Sequence, residues 1–199
     1  MKIVYWTFIL SFILLSCGEG HKADMKDYGI IPMPNEIVSE QGNYVLQGEK
    51  TVAVSSDESS MKVFQYLENV LKNTSVQLKR IAPTEQADIS LLIDTTLPDE
   101  AYTLEVSSHG IKICSNATAA GLFYGVQSLL QLMPVEIYDT HRKYENDIVI
   151  PAVRITDAPR FPYRGAMMDV GRNFLPKEEV LKFLDLSLIH ISEPTRHSL

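Results

Sequence analysis

Apolar residues along this chain recur at two periods, and the order in which those periods follow one another sets the expected architecture. Residues 30–34, Ile-Ile-Pro-Met-Pro, form an extended entry segment, because each proline pushes the residue before it out of the α region. Thr51-Val52-Ala53-Val54-Ser55 then alternates as a strand does. Asp57 or Ser59 is placed to cap a helix whose Met61, Phe64, Leu67 and Leu71 fall on one stripe. Two further strands are expected over 76–81 and 89–93, the second apolar enough to be central. After a turn at Leu97-Pro98-Asp99-Glu100, Tyr102, Leu104 and Val106 alternate with Thr103 and Glu105, so this strand has one buried face. Ser107-Ser108-His109-Gly110 folds it back onto Ile111-Lys112-Ile113-Cys114 as a hairpin.

Behind the hairpin the period moves from two to near 3.6. A helix is expected over 119–133, with Ser115, Asn116 or Thr118 as its cap and Pro134 as its stop. Its core stripe is Leu122, Val126, Leu129, Leu130 and Met133. Gly121 and Gly125, one turn apart, let it come close to a sheet; without an apolar twenty-residue span around it, this Gly-x-x-x-Gly reads as packing rather than as a membrane dimer face. Residues 136–147 are polar and read as an exposed excursion. Residues 148–155 are extended again, and Asp157-Ala158-Pro159 marks a boundary. Residues 30–157 therefore make an α+β domain, a sheet with helices packed on it.

The stretch that follows, from Phe161 to Pro176, has the form of a strand leading into a helix. Residues 163–170 are short, mostly apolar and bounded by turn formers, as a strand buried on both faces should be. Gly171 ends the run, and Pro176 with Lys177-Glu178-Glu179 opens a helix, because proline suits the first turn and acids suit its positive end. Strand alternation would put Arg164, Ala166 and Met168 on one face and Asp169 on the other. An arginine inside such a strand is costly unless it meets an anion or a dense set of acceptors. Two readings of Arg164 follow: an ion pair with Asp169 or with an acid not present in this sequence, or a ligand-binding fork. Arg172 would either line a site or brace the loop.

Composition narrows the classes. The formal charge is −7, which argues against a nucleic-acid partner. Of the two cysteines, Cys17 closes an N-terminal segment in which Lys2 is a basic start and residues 3–15 are an apolar run too short to span a bilayer comfortably. Leu14-Leu15-Ser16-Cys17 resembles the lipobox of bacterial lipoproteins, which implies a signal peptide over 1–17, lipidation of Cys17 and a membrane partner reached through the lipid. Residues 18–29 would be the tether. Cys114 is then alone, so neither a disulfide framework nor a cysteine metal site can be built. No metal spacing and no phosphate-cradling glycine loop is present.

Several runs together carry a family resemblance: Tyr102-Thr103-Leu104-Glu105-Val106, Gly110-Ile111-Lys112-Ile113, and residues 119–132, Ala-Ala-Gly-Leu-Phe-Tyr-Gly-Val-Gln-Ser-Leu-Leu-Gln-Leu. They closely resemble the N-terminal domain of family 20 β-N-acetylhexosaminidases, and residues 150–176 resemble the passage into that family's catalytic (β/α)8 barrel. The resemblance implies an exo-acting glycosidase that removes terminal N-acetylglucosamine or N-acetylgalactosamine from glycans with retention. The nucleophile is the substrate's own acetamido oxygen, and no cofactor is expected. It places Arg164 where the family's arginine binds hydroxyls of the terminal sugar. It places the catalytic Asp-Glu pair late in the barrel, beyond Leu199, and has residues 158–186 as the barrel's first β/α unit. Asn173 departs from the histidine common at its position. Residues 187–199 leave the family pattern and look like a translated sequencing adapter, so His190 and His197 are not candidate ligands or bases. The competing class is a membrane-tethered module that binds glycan or protein without catalysis.

Overall fold

The computed structural model describes residues 28–116, 120–139, 141–165 and 167–187. The expected signal segment, Cys17, Thr118, Ala166 and the tail from residue 188 lie outside them. Seven strands form one mixed sheet: β1 (Glu36–Leu46), β2 (Glu49–Val54), β3 (Gln77–Ile81), β4 (Ile89–Ile93), β5 (Tyr102–Ser107), β6 (Gly110–Ser115) and β7 (Ile148–Asp157). Helix α1 (Glu58–Leu71) joins β2 to β3, α2 (Ala120–Gln131) follows β6, and α3 (Lys177–Ser187) follows the sheet. The order across the sheet is β1-β7-β5-β6-β4-β2-β3. The β1, β7, β5 and β6 neighbours pair antiparallel, and β6, β4, β2 and β3 pair parallel.

The register explains why the large apolar side chains collect on one face. Ile155, Leu104, Ile113, Leu91 and Val54 lie side by side on adjacent strands, as do Val153, Val106, Ile111, Ile89 and Val52. All ten are buried. The intervening row is Arg154, Glu105, Lys112, Ser90 and Ala53 on the opposite face, because successive side chains alternate. There Arg154 pairs with Glu105 at 2.7 Å and with Glu40 at 3.2 Å. Both helices cover the apolar face and touch each other edge-on through Tyr66 and Phe123, with ring centroids 5.1 Å apart.

Helix α1 begins where Asp57 accepts from the Ser60 amide at 2.8 Å, and buries Phe64, Leu67 and Leu71 from the expected stripe. The stripe of α2 is buried as expected, Leu122, Val126, Leu129, Leu130 and Met133 together. A side-chain carbon at Gly121 would stand 2.3 Å from the Ala101 carbonyl oxygen, and one at Gly125 2.5 Å from Ile113 Cγ2. Only glycine lets α2 lie this close to β5 and β6.

Three elements differ from expectation. Strand β1 is not among the expected strands: its alternation is broken where pairing with β7 shifts between Ser39 and Asn43 at a bulge containing Gly42 (φ +98°). The excursion over 136–147 is not wholly solvated: Ile137 is buried, and Tyr144 bridges to Thr74, its amide donating to the Asn73 carbonyl at 2.8 Å. Most important, the described residues of 163–170 form no strand and are not buried; Tyr163 is 88% and Met167 92% exposed. Arg164, Met168 and Asp169 are therefore not set on the two faces of a strand here. A strand buried on both faces needs a neighbour on each edge and cover on each side. None of the described residues supplies these to 163–170.

Candidate functional site

The site is built around Arg164, and the sheet register decides what meets it. Strand β7 ends with Asp157 opposite Tyr102, so the outgoing chain passes the turn just before β5. Asn35 fixes this exit: its amide donates to Asp157 Oδ1 at 3.0 Å, and its Nδ2 donates to the Ala158 carbonyl at 3.0 Å. Two residues before Tyr102 stands Glu100. Its turn is closed by the Ala101 amide donating to the Pro98 carbonyl at 3.1 Å. Asn116 Nδ2 donates to Asp99 at 2.6 Å and braces the turn from the end of β6. Gly121 brings α2 against Ala101, and Tyr124 follows one turn along the same helix.

Arg164 meets both. Its Nη2 donates to Glu100 Oε2 at 2.6 Å and to the Tyr124 hydroxyl at 3.1 Å, and its Nη1 donates to the Phe161 carbonyl. The guanidinium carbon also lies 5.8 Å from the centroid of the Tyr124 ring, within cation–π range. The hydrogen bond to Glu100 is the main cause that raises the arginine's pKa above its ordinary value; burial opposes it, and Tyr124 adds to the rise. The cation is permanent in either case. Neither acid weighed as an ion-pair partner from the sequence, Asp169 or one outside it, is the partner here: Arg164 takes Glu100.

Asp169 serves its own loop. It accepts from the amides of Gly171 at 2.9 Å and Arg172 at 3.1 Å, and pairs with Arg172 Nε at 2.6 Å. The Arg172 amide first, then its side chain and the Gly171 amide, hold this carboxyl below the usual carboxylate range. Arg164 and Asp169 are therefore not brought together, and Arg172 is directed to Asp169. The two Asp-Glu dipeptides within the described residues are both engaged. Asp57 caps α1 while Glu58 pairs with Lys62 at 2.9 Å; Asp99 accepts from Asn116 while Glu100 holds Arg164.

The pattern of residues had singled out Arg164 but not Glu100 or Tyr124. The only available signal was that Tyr124 falls off the core stripe of α2. Among the described residues, no group of three or more His, Cys, Asp or Glu could hold a metal ion, and no helix is long and apolar enough to cross a membrane. Cys114 is a free, buried thiol whose pKa burial pushes up.

Comparison with known proteins follows the same division of the chain. The model of glycosyl hydrolase family 20, domain 2, matches residues 27–158, and the model of the family's catalytic domain matches residues 161–190. A beta-hexosaminidase of Porphyromonas gingivalis is 32% identical over 183 residues, which cover 87% of this chain and 23% of that protein. A beta-hexosaminidase of Vibrio vulnificus is 36% identical over 166 residues, 82% of this chain and 17% of that protein. The chain thus spans about a quarter or less of the length of these curated relatives. Among solved structures, the N-acetyl-beta-hexosaminidase of Streptomyces plicatus superposes with a TM-score of 0.70 at 28% identity, over 79% of this chain and 31% of that one. The beta-N-acetylhexosaminidase of Bacteroides fragilis gives a TM-score of 0.62 at 27% identity, over 79% of this chain and 30% of that one. With domain 2 matched across the whole sheet and the catalytic region beginning directly behind it, the chain belongs to glycosyl hydrolase family 20.

Proposed function

We propose that this chain is the N-terminal part of an exo-β-N-acetylhexosaminidase that removes terminal N-acetylglucosamine or N-acetylgalactosamine from glycans, and that Arg164 binds the terminal sugar. The observation that carries this reading is the order of the two family matches, 27–158 and then 161–190, with Arg164 just inside the second. A variant of the Streptomyces plicatus enzyme was solved with its product, GlcNAc, which supports the substrate class. A guanidinium presents five donors in a fixed fork and suits vicinal hydroxyls, or a carboxylate that shares them.

In this mechanism the substrate's acetamido oxygen attacks the anomeric carbon. The bond to the leaving oxygen breaks, and a carboxylic acid protonates that oxygen. That acid, and the carboxylate that orients the acetamido group, would come from a barrel segment following residue 199. Both Asp-Glu pairs described here have structural work to do. Residues 158–186 would be the barrel's first strand and helix, with Asp169 and Arg172 bracing the loop between them. The tail that leaves the family pattern would begin after residue 190, where the catalytic-domain match ends. Residues 1–17 would direct export, with Cys17 lipidated and 18–29 tethering the protein in the periplasm or at the outer membrane of a Gram-negative bacterium.

The test is release of nitrophenol from a β-N-acetylglucosaminide. The 199-residue chain should give none, whereas a protein carried on through a complete catalytic domain should give steady turnover. Turnover by the short chain would overturn the assignment of the acid to a later segment. In the longer protein, Arg164→Ala should raise KM about tenfold or more and slow turnover, because hydrogen bonds to a charged donor are lost. Unchanged kinetics would return Arg164 to a purely structural role. Loss of radiolabelled fatty-acid incorporation on Cys17→Ser would test the anchor.

A further inference from the structure

We propose that a crevice between the carboxyl ends of β2 and β3 binds a small monocarboxylate with a short apolar body, held by Arg80. The site is separate from the glycosidase reading and does not depend on it. Strand order gives the first reason. Strand β2 lies between β3 and β4, all three parallel. The chain leaves β2 for β3 on one side and then returns to β4 on the other. In parallel sheets with such a reversal, ligands bind outside the carboxyl ends of the strands.

The two sides of β2 end differently. Towards β4 the chain stays laced past the last strand residue. The Ser55 amide donates to the Leu91 carbonyl at 3.0 Å, and Ser55 Oγ accepts from the Ile93 amide at 3.0 Å. Towards β3 the last paired residues are Ala53 and Ile81, and beyond them the chains part. A cavity of about 280 Å³ opens there, lined by Val54, Ser56, Arg80, Ile81, Ala82 and Pro83. Its walls are set before any ligand arrives. Pro83 has a fixed φ, the Glu85 amide closes the turn by donating to the Ala82 carbonyl at 3.1 Å, and Asp57 caps α1 directly after Ser56. Ligand pockets share this mix of apolar walls and a few polar groups, and the volume is at their small end.

Arg80 gives the crevice its chemistry. Its register partner is the buried Val52, so it rises on the helix-covered face, where its Nη1 donates to the Met61 sulfur at 3.3 Å. A thioether is a weak acceptor. Arg80 forms no ion pair among the described residues. Its charged neighbours are matched elsewhere: Lys79 with Glu49 at 3.8 Å, Glu58 with Lys62 at 2.9 Å, and Asp57 with the Ser60 amide. The guanidinium therefore keeps a planar fork of donors, which a carboxylate fills with two parallel hydrogen bonds. Asp57, Glu58 and Glu85 flank the lining residues in sequence, so a dianion such as phosphate meets more repulsion than a monoanion. Val54, Ile81, Ala82 and Pro83 suit an apolar body, and Ser56 adds a hydroxyl to the lining.

Benzoate is the probe, with benzyl alcohol as its uncharged counterpart and inorganic phosphate as an anion without an apolar body. In the 199-residue chain, benzoate should saturably shift the amide NMR resonances of Ser56, Ile81 and Ala82, with a Kd of about 1 mM. Arg80→Gln should weaken binding about tenfold, because charge-assisted hydrogen bonds are lost. Ala82→Leu should weaken it similarly by filling the crevice while Arg80 stays in place. Both positions are exposed, so both variants keep the sheet. Absence of a saturable shift up to about 50 mM would overturn the proposal. Undiminished binding in either variant would place benzoate elsewhere and overturn the site. Equal binding of benzyl alcohol or of phosphate would overturn the assignment to a carboxylate with an apolar body. The readout is occupancy rather than turnover, so none of these failures touches the hexosaminidase reading.

Discussion

Residues 102–107 and 163–170 both read as strands bounded by turn formers, the first alternating with one buried face and the second mostly apolar. One is a fully paired interior strand and the other is exposed, irregular chain. Strand β5 has β6 on one edge and β7 on the other, with α2 over its apolar face. Residues 163–170 have no such neighbours among the described residues. The lesson concerns the level at which β structure is encoded. Alternation and apolarity make a segment fit for a sheet, but the ladder hydrogen bonds and the burial come from other segments. Helix α3 differs from both. It forms behind Pro176, with Glu178 and Glu179 in its first turn, because its hydrogen bonds are internal.

This contrast can be broken most severely inside the sheet. Leu104 is fully buried between Ile113 and Ile155. Leu104→Ala should cost about 4 kcal/mol in urea or thermal unfolding, the sum of lost transfer energy and a cavity. Next in size is Gly121→Ala. The added carbon would stand 2.3 Å from a backbone oxygen that cannot rotate away, so α2 must lift from β5. A loss of about 3 kcal/mol is expected from overpacking. Tolerance of both changes would mean that the sheet domain is no better packed than the stretch behind it.

How far the sequence reveals all this depends on the range of the interactions involved. Helices α1 and α2, the hairpin of β5 and β6, and the close approach at Gly121 and Gly125 were legible, because their signals lie within a few residues. Strand β1 was not. Ile37-Val38 and Tyr44-Val45-Leu46 are separated by the bulge from Ser39 to Asn43, so no continuous alternation survives, and β1 is an edge strand with much of its surface in water. At the site, Arg164 stood out because a guanidinium in an apolar run requires a partner. The partners did not stand out: Glu100 lies 64 residues away and Tyr124 lies 40 residues away, and nothing local links them. The register of Asp157 opposite Tyr102 makes that link, and register is a property of the folded sheet.

A smaller effect follows from the phenols of the sheet domain. Burial chiefly, and Asp88 next to it, push the Tyr44 hydroxyl from 10.0 up to about 12. Burial also pushes Tyr102 up, although its hydrogen bond with Ser128 opposes the shift. Both groups hold their protons more tightly folded than unfolded. Their contribution is therefore complete below about pH 10 and is lost as pH rises through the folded value. Urea midpoints should be flat from neutral to mildly alkaline pH and should fall by the equivalent of about 1 kcal/mol per phenol by about pH 11. Tyr44→Phe should remove part of that slope. A slope unchanged in Tyr44→Phe would mean that Asp88 and burial do not act on this hydroxyl.

The smallest effect is expected outside the sheet, and it decides whether the contrast is real. Phe174 is 87% exposed, an aromatic side chain in water. Phe174→Ser should change the stability of the 199-residue chain by less than about 0.5 kcal/mol, as surface substitutions generally do. The same substitution in protein carried through a complete catalytic domain should cost far more, about 3 kcal/mol, if barrel strands and helices then close over this stretch. A loss above about 1 kcal/mol in the short chain would mean that residues 161–176 already pack on the sheet domain. The exposed arginine hold would then be part of a larger interface, and the difference between β5 and residues 163–170 would be one of degree. Equal, negligible losses in both proteins would remove the case for a buried strand in either. A small loss in the short chain and a large one in the long chain is the result the contrast requires.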